Sequence, residues 1–195
     1  MDNQRVRYLS EDEEARLFDA IGNDNLLKSV VTVALHTGMR RGEIFGLKWF
    51  DVDFERGILQ VRKTKTKLNR TVPMNSRVRE VLAQQPKTSE YVFTSTRTKS
   101  RLVDLKKGFN EARTAARIPD FQLRDLRHSC ATRLSDCGEE LVTVAEILGH
   151  TDIRMTKRYS HAMHERKRQA LEKLAATSNL RQMQNGRDVT PAVSA

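Results

Sequence analysis

A chain of 195 residues is long enough for one substantial hydrophobic core, and its length favours a single domain over two. Apolar residues make up 38% and charged residues 31%, and no apolar run approaches the roughly 20 residues of a bilayer-spanning helix, which excludes a helical membrane protein. Lys+Arg 35 against Asp+Glu 25 leaves a formal charge of +10, a field that favours polyanions, nucleic acid being the usual one; the alternative is a basic but otherwise ordinary protein.

The opening "MDNQRVRYLS" has no apolar segment of the kind a signal peptide carries, so a reducing, cytoplasmic setting is expected. "LSEDEEARLFDAI" then places Ser10 three residues before Glu13, a capping box with acids in the first turn, and Leu17, Phe18 and Ile21 supply an apolar helix face. "NLLKSVVTVALH" is apolar nearly all round and predicts a central helix. Gly38 in "TGMRRGEIFGLKW" breaks that helix, and a new one starts near Arg41.

From Trp49 the period changes to two. "DVDFERGILQVRKTKTKLNRTVPM" alternates apolar with polar residues around a turn at Glu55-Arg56-Gly57, which predicts three short antiparallel strands with a lysine-rich hairpin tip between the second and third. Pro73 closes the last strand, and "NSRVREVLAQQ" resumes a helix capped by Asn75 or Ser76. "YVFTS" reads as extended, and "RLVDLKKGFNEARTAARI" as a helix broken by Pro119. "LRDLRHSCATRLSDCG" and "EELVTVAEILGH" are helices ended by Gly138 and Gly149. Cys130 and Cys137, one heptad apart, read as small core residues rather than a disulfide or metal pair. Tyr159 follows on or beside a further short helix, and "HERKRQALEKLAATS" predicts a charged amphipathic one. The expected fold is therefore mainly α with a small three-stranded antiparallel sheet (α+β), over residues 1–176, followed by a polar, mobile tail over 177–195.

Cleaving a phosphodiester without a metal requires fixed cations to neutralise the phosphate, an in-line nucleophile, and an acid for the leaving oxygen. Candidates for each part are present, and no His/Cys/Asp/Glu cluster has metal-ligand spacing. Arg40 stands where a loop meets a helix start, a geometry that aims a guanidinium and backbone N–H groups at an anion. Arg124, Arg127 and His128 have i, i+3, i+4 spacing and share one helix face. His150 follows a helix-ending glycine, with Tyr159 nine residues on. Taken singly, each has an ordinary explanation: solvated arginines, a surface histidine, a tyrosine anchoring the core with a wet hydroxyl.

Together and in order, "TGMRRGEI", "LRDLRHSCAT" and "LGHTDIRMTKRYSH" resemble the tyrosine recombinases, the phage integrases and Xer-type site-specific recombinases, over roughly Arg7 to Ala176. The resemblance implies that family's catalytic-domain fold and DNA strand cleavage and rejoining through a covalent 3′-phosphotyrosine, with neither ATP nor a metal cofactor. It assigns Arg40 and Arg127 to the scissile phosphate, Glu43 to buttressing that site, and His150 to a hydrogen bond with the phosphate. Lys65, flanked by Lys63 and Lys67, becomes the general acid for the departing 5′ oxygen, and Tyr159 the nucleophile. Arg124 stands where the family commonly has the histidine of H-x-x-R; arginine keeps the donors but cannot act as a base near neutral pH. His128 matches a common non-catalytic position and receives no role. Double-stranded DNA is the implied partner, with self-association on it into a recombinase tetramer in the full-length protein. The N-terminal clamping domain usual in the family is expected to be absent from this chain. A type IB topoisomerase, or a DNA-binding accessory protein lacking the activity, are the competing readings.

Overall fold

The computed structural model describes residues 7–62, 69–95, 97–162 and 171–172. Helix α1 spans Glu11–Ile21 and begins as its sequence dictates: the Ser10 hydroxyl accepts from the Glu13 N–H while the Glu13 carboxylate accepts from the Ser10 N–H. Helix α2, Asn25–Thr37, is buried along most of its length, from Leu27 through Val30, Val31 and Val33 to Leu35. It ends at Gly38, whose φ of +61° is left-handed. A Cβ there would lie 2.5 Å from Leu148 Cδ2 and 3.3 Å from Cys130 Sγ, so glycine lets this turn meet two later helices. Helix α3, Arg41–Phe45, follows at once.

A 3₁₀ turn at Trp49–Asp51 leads into β1 (Val52–Asp53), β2 (Ile58–Val61) and β3 (Arg70–Pro73), an antiparallel sheet in the order β1-β2-β3. Leu59 pairs with Val72 and Val61 with Arg70; Leu59, Val61 and Val72 face the core while alternate residues stay accessible. The hairpin tip at 63–68, including Lys63, Lys65 and Lys67, lies outside the described residues. Helix α4 spans Ser76–Ala83 with Asn75, not Ser76, as cap.

Two expectations fail in the second half of the chain. The segment from Arg101 is not helical until α5, Lys106–Ala115. Thr94 and Arg101 form a bridge, the Leu102 N–H donates to the Phe93 carbonyl at 3.0 Å, and the Arg101 guanidinium caps the carbonyls of Phe45 and Gly42. These pairings hold 101–105 extended, and the Asp104 carboxylate then receives the Lys106 N–H to open the helix. Helix α6 is Asp125–Asp136 and α7 is Leu141–Leu148, ended by Gly138 at φ +105° and Gly149 at φ +67°. Cys130 is buried in α6, but Cys137 lies just past its end and is exposed, so only the first is a core residue.

Helix α2 is the hub, packed against both α4 and α6, while α1 packs against α5. Phe93, Phe109, Phe121, Leu126 and Ile44 complete the main core. A smaller cluster of Ala131, Val144, Leu148 and Tyr159 ties the last described turn to α6 and α7. Residues 157–162 form a 3₁₀ helix (Lys157–Ala162). Most of the amphipathic helix expected from His164, and the tail after it, fall outside the described residues. Among the described residues no helix is long and apolar enough to cross a membrane.

Candidate active site

The Gly38 turn throws Arg40 out at the start of α3. Its backbone N–H donates to Glu43 Oε2 at 2.8 Å, its Nη1 to Glu43 Oε1 at 3.0 Å, and its Nη2 to the Gly149 carbonyl at 3.4 Å. The arginine is thereby preorganised yet still 40% exposed. Arg70 approaches the same carboxylate from β3, with Nη1 3.0 Å from Oε1 and Nη2 2.8 Å from Oε2, a two-pronged pair in which both side chains are largely out of water. Its Nε also donates to the Ile147 carbonyl at 3.3 Å. The guanidinium fits because position 149 is glycine: a Cβ there would lie 2.7 Å from Arg70 Cδ. Burial alone would raise the Glu43 carboxyl, but its hydrogen bonds with Arg70 and Arg40 outweigh burial and hold it below the ordinary range.

Arg127 projects from α6 toward this group. Its Nη1 donates to the Gly38 carbonyl at 2.6 Å, whereas its Nη2 is buried with no hydrogen-bond partner among the described residues. Burial and the neighbouring Arg40 depress its pKa to about 10, so it stays cationic at neutral pH but carries an unmet demand for negative charge. Arg40 and Arg70 thus share one carboxylate, and Arg127 lies near enough to feel its charge. Arg124 directly precedes α6 instead of sitting within it; its side chain is 76% exposed and its closest ion pair, Nε to Asp125 Oδ1, is a loose 3.7 Å. With Arg40 and Arg127 it lines a cavity of about 640 Å³.

His150 stands just past the left-handed Gly149 cap of α7 and lines a neighbouring cavity with Arg70. Its Nδ1 lies 2.8 Å from Oγ1 of the fully buried Thr156, which fixes the ring and leaves Nε2 as its other hydrogen-bonding atom. Burial, then repulsion from Arg127 and Arg40, push its pKa down to about 4, so the free ring is neutral at pH 7. Tyr159 is 5% exposed and packs its ring on Ala131, Val144 and Leu148. Its backbone N–H donates to the Thr156 carbonyl at 3.0 Å, so Thr156 orders both His150 and Tyr159. Desolvation raises the phenol's pKa, with Arg158 and Arg127 opposing it. The hydroxyl lies 2.5 Å from His128 Nδ1.

Arg40, Glu43, Arg127, His150 and Tyr159 therefore come from separate parts of the chain into one region, with Arg124 at its rim and Lys65 outside the described residues. Three participants carried no role in the sequence reading. Nothing there singles out Arg70; its pairing with Glu43 spans a separation no local period reveals. Thr156 gave no signal. His128 did, by its i+4 spacing from Arg124, and was set aside.

The model of the phage integrase family matches residues 7–166. A shufflon-specific DNA recombinase of Escherichia coli is 34% identical over 160 residues, covering 80% of this chain and 40% of that protein. The integrase of Salmonella phage P22 is 34% identical over 174 residues, covering 82% of this chain and 44% of the other. The chain thus spans less than half the length of either relative. Among solved structures, the crystal structure of XerA recombinase matches with a TM-score of 0.72 at 29% identity, over 87% of this chain and 65% of that one. The catalytic domain of bacteriophage HP1 integrase matches with a TM-score of 0.65 at 30% identity, over 80% and 88%.

Proposed function

Because the chain belongs to the phage integrase family, we propose that it is the catalytic part of a site-specific DNA recombinase, cutting and rejoining DNA through a covalent bond between Tyr159 and the 3′ phosphate. The observation that carries this reading is the buried Nη2 of Arg127, unpartnered among the described residues, close to two guanidiniums that share one carboxylate. A buried cation with a spare donor is costly in isolation, and a phosphate diester supplies both the charge and the acceptor it lacks.

In this reading Arg40, Arg127 and His150 hold the non-bridging oxygens, and Arg124 swings in from the rim. Such preorganised donors act most strongly on charge that develops as the pentavalent phosphorus forms. Glu43 holds Arg40 and Arg70 in place without touching substrate. Lys65 protonates the departing 5′ oxygen. The phosphotyrosyl bond retains the energy of the broken diester, so rejoining needs neither ATP nor a metal. Double-stranded DNA is the substrate. One tyrosine cuts one strand, so exchange between two duplexes calls for several copies assembled on DNA.

The test is incubation with a nicked suicide duplex, which traps the cut state, followed by a denaturing gel. Wild type is expected to give a protein–DNA adduct that survives excess EDTA. Tyr159→Phe is expected to give none while binding the duplex with nearly unchanged affinity, because affinity rests mainly on phosphate contacts. Adduct persisting in Tyr159→Phe, or cleavage restored only by Mg²⁺, overturns the proposal.

A further inference from the structure

We infer that His128 takes the phenolic proton of Tyr159 as its oxygen attacks the scissile phosphorus, and returns that proton on rejoining. The inference rests on the strand-cleavage reading above and deepens it. The geometry is direct: Nδ1 and the phenolic oxygen are 2.5 Å apart, with the two rings tilted 44° and their centroids 5.8 Å apart. Tyr159 is almost wholly enclosed, so its proton does not pass straight to bulk water, and the hydroxyl's one hydrogen-bond partner among the described residues is this nitrogen.

The surroundings make His128 an acceptor. Facing it are Asp125 and Arg127 from α6, Arg124 just before that helix, Arg158 from the last 3₁₀ segment and His150 just past the end of α7. Burial comes first and lowers the pKa, Asp125 opposes it, and Arg158, Arg127 and Arg124 add to the lowering, so the free ring lies below its ordinary pKa and is mostly neutral at pH 7. With the remaining proton on Nε2, Nδ1 offers a lone pair to the phenol. The other bases nearby are occupied or unsuitable. His150 Nδ1 is engaged with Thr156, the Asp125 carboxylate accepts the Gln122 N–H at 2.9 Å, and Arg124 cannot deprotonate near neutral pH.

The step balances. A bond forms between the Tyr159 oxygen and phosphorus, and the phosphorus–O5′ bond breaks with its electron pair going to O5′. The phenolic proton moves to His128 Nδ1, while O5′ takes a proton from the general acid, Lys65. In the reverse direction the imidazolium of His128 reprotonates the departing phenolate. A consequence is that Arg127 and His128, adjacent on one helix, hold the phosphate and the nucleophile's proton respectively.

Single-turnover adduct formation on the nicked suicide duplex tests this across pH 5–9, with wild type and His128→Asn. Asparagine can place a hydrogen-bonding oxygen near the position of Nδ1 but accepts no proton. Wild-type rate is expected to climb from pH 5 and level off by about pH 7.5, once the imidazole is neutral. His128→Asn is expected to be roughly 10²–10³-fold slower at pH 7, and to keep climbing through pH 9, because burial holds the phenol's pKa above its ordinary value. A duplex carrying sulfur in place of the bridging 5′ oxygen needs no acid for departure, so it should rescue Lys65→Ala and leave the His128→Asn defect in place. Equal rates in His128→Asn and wild type, or a shared pH profile, overturn the inference even where Tyr159 is confirmed as nucleophile. Should the variant fail to fold, a wild-type rate that rises without a plateau through pH 9 overturns it by itself. Absence of any Tyr159 adduct in wild type is a different result and overturns the strand-cleavage reading.

Discussion

Glu43 and Arg70 form a two-pronged pair in which neither side chain has much access to water, the carboxylate being 8% exposed and the guanidinium 13%. The same carboxylate also holds Arg40 through both its backbone N–H and its Nη1. One acid therefore fixes a strand residue and a helix-start residue at once, and it is the main counter-charge to a group that includes Arg127.

Removing that charge leaves buried cations facing each other. Glu43→Gln is expected to destabilise the fold by about 3–5 kcal/mol, the usual cost of breaking a buried pair from one side. At about 2–4 °C per kcal/mol for a chain of this size, the loss is easily seen as a drop in Tm. The exposed pair of Lys48 with Glu90, at 2.8 Å, is the control: solvent screens it, so Glu90→Gln should leave Tm nearly unchanged.

Arg127 should behave in the opposite way. Its guanidinium is desolvated, repelled by Arg40 and only partly hydrogen-bonded, so without DNA it is a burden on the fold. Arg127→Met gives up the bond to the Gly38 carbonyl, an orphaned acceptor worth about 1–3 kcal/mol, but also removes a buried charge and an unmet donor. These terms nearly cancel, so the variant's Tm should fall within a few degrees of wild type or above it. Adduct formation should vanish, and the rise in Tm on adding duplex should shrink. A collapse in Tm comparable to that of Glu43→Gln would show that Arg127 serves the fold and not the phosphate.

Much of this site is legible in the sequence because its parts lie at helix ends, where composition speaks plainly. Gly38 and Gly149 announce the turns that aim Arg40 and His150, and both adopt the left-handed conformation that glycine favours. The spacing from Gly149 to Tyr159 keeps His150 and Tyr159 close, with Thr156 as the bridge. What the sequence does not reveal are side chains meeting across elements. Helical spacing puts Arg124, Arg127 and His128 on one helix face, but gives no hint of which one the last 3₁₀ turn folds back to touch. That contact falls to His128, while Arg124 points to solvent. The extended run at 101–105 was missed for a similar reason: its pairing with Phe93, Thr94, Gly42 and Phe45 is non-local, and it overrides a helical pattern.

His150 gives the protein an acid-sensitive stability. In the unfolded chain its ring takes a proton near pH ~6.5, whereas in the fold it does so only near about 4. Between those values the unfolded state holds the extra proton, so stability falls as pH drops from about 7 toward 4 and is flat above it. His128 and His36 are shifted the same way, chiefly by burial, and add to the effect; the depressed carboxyls of Glu43 and Glu13 contribute below the ordinary carboxylate range. Urea midpoints measured from pH 8 to 4 should show this decline, and His150→Asn should flatten part of it. A midpoint that rises on acidification would contradict a neutral, desolvated ring.

Among the described residues, the only ion pair of Arg124 is a loose one with Asp125 at 3.7 Å, which separates its two uses. If it is a mobile donor that reaches the phosphate only when DNA is bound, Arg124→Ala should leave Tm within the small range of ordinary surface substitutions, about ±0.5 kcal/mol. Duplex affinity should fall modestly, with the slope of log affinity against log salt reduced by about 1, the signature of one lost phosphate contact. The cleavage rate should drop further, by roughly 10²–10³, because a donor to a developing oxyanion is worth more in the transition state than in the bound ground state. Arg124→His, which keeps a donor at that position, should recover much of the rate. An alanine variant with wild-type rate and salt slope would mean that Arg124 stays in solvent throughout, as its 76% exposure and loose 3.7 Å approach to Asp125 have it in the free protein. The phosphate would then rest on Arg40, Arg127 and His150 alone, and the spare Nη2 of Arg127 would have to carry the share assigned to Arg124.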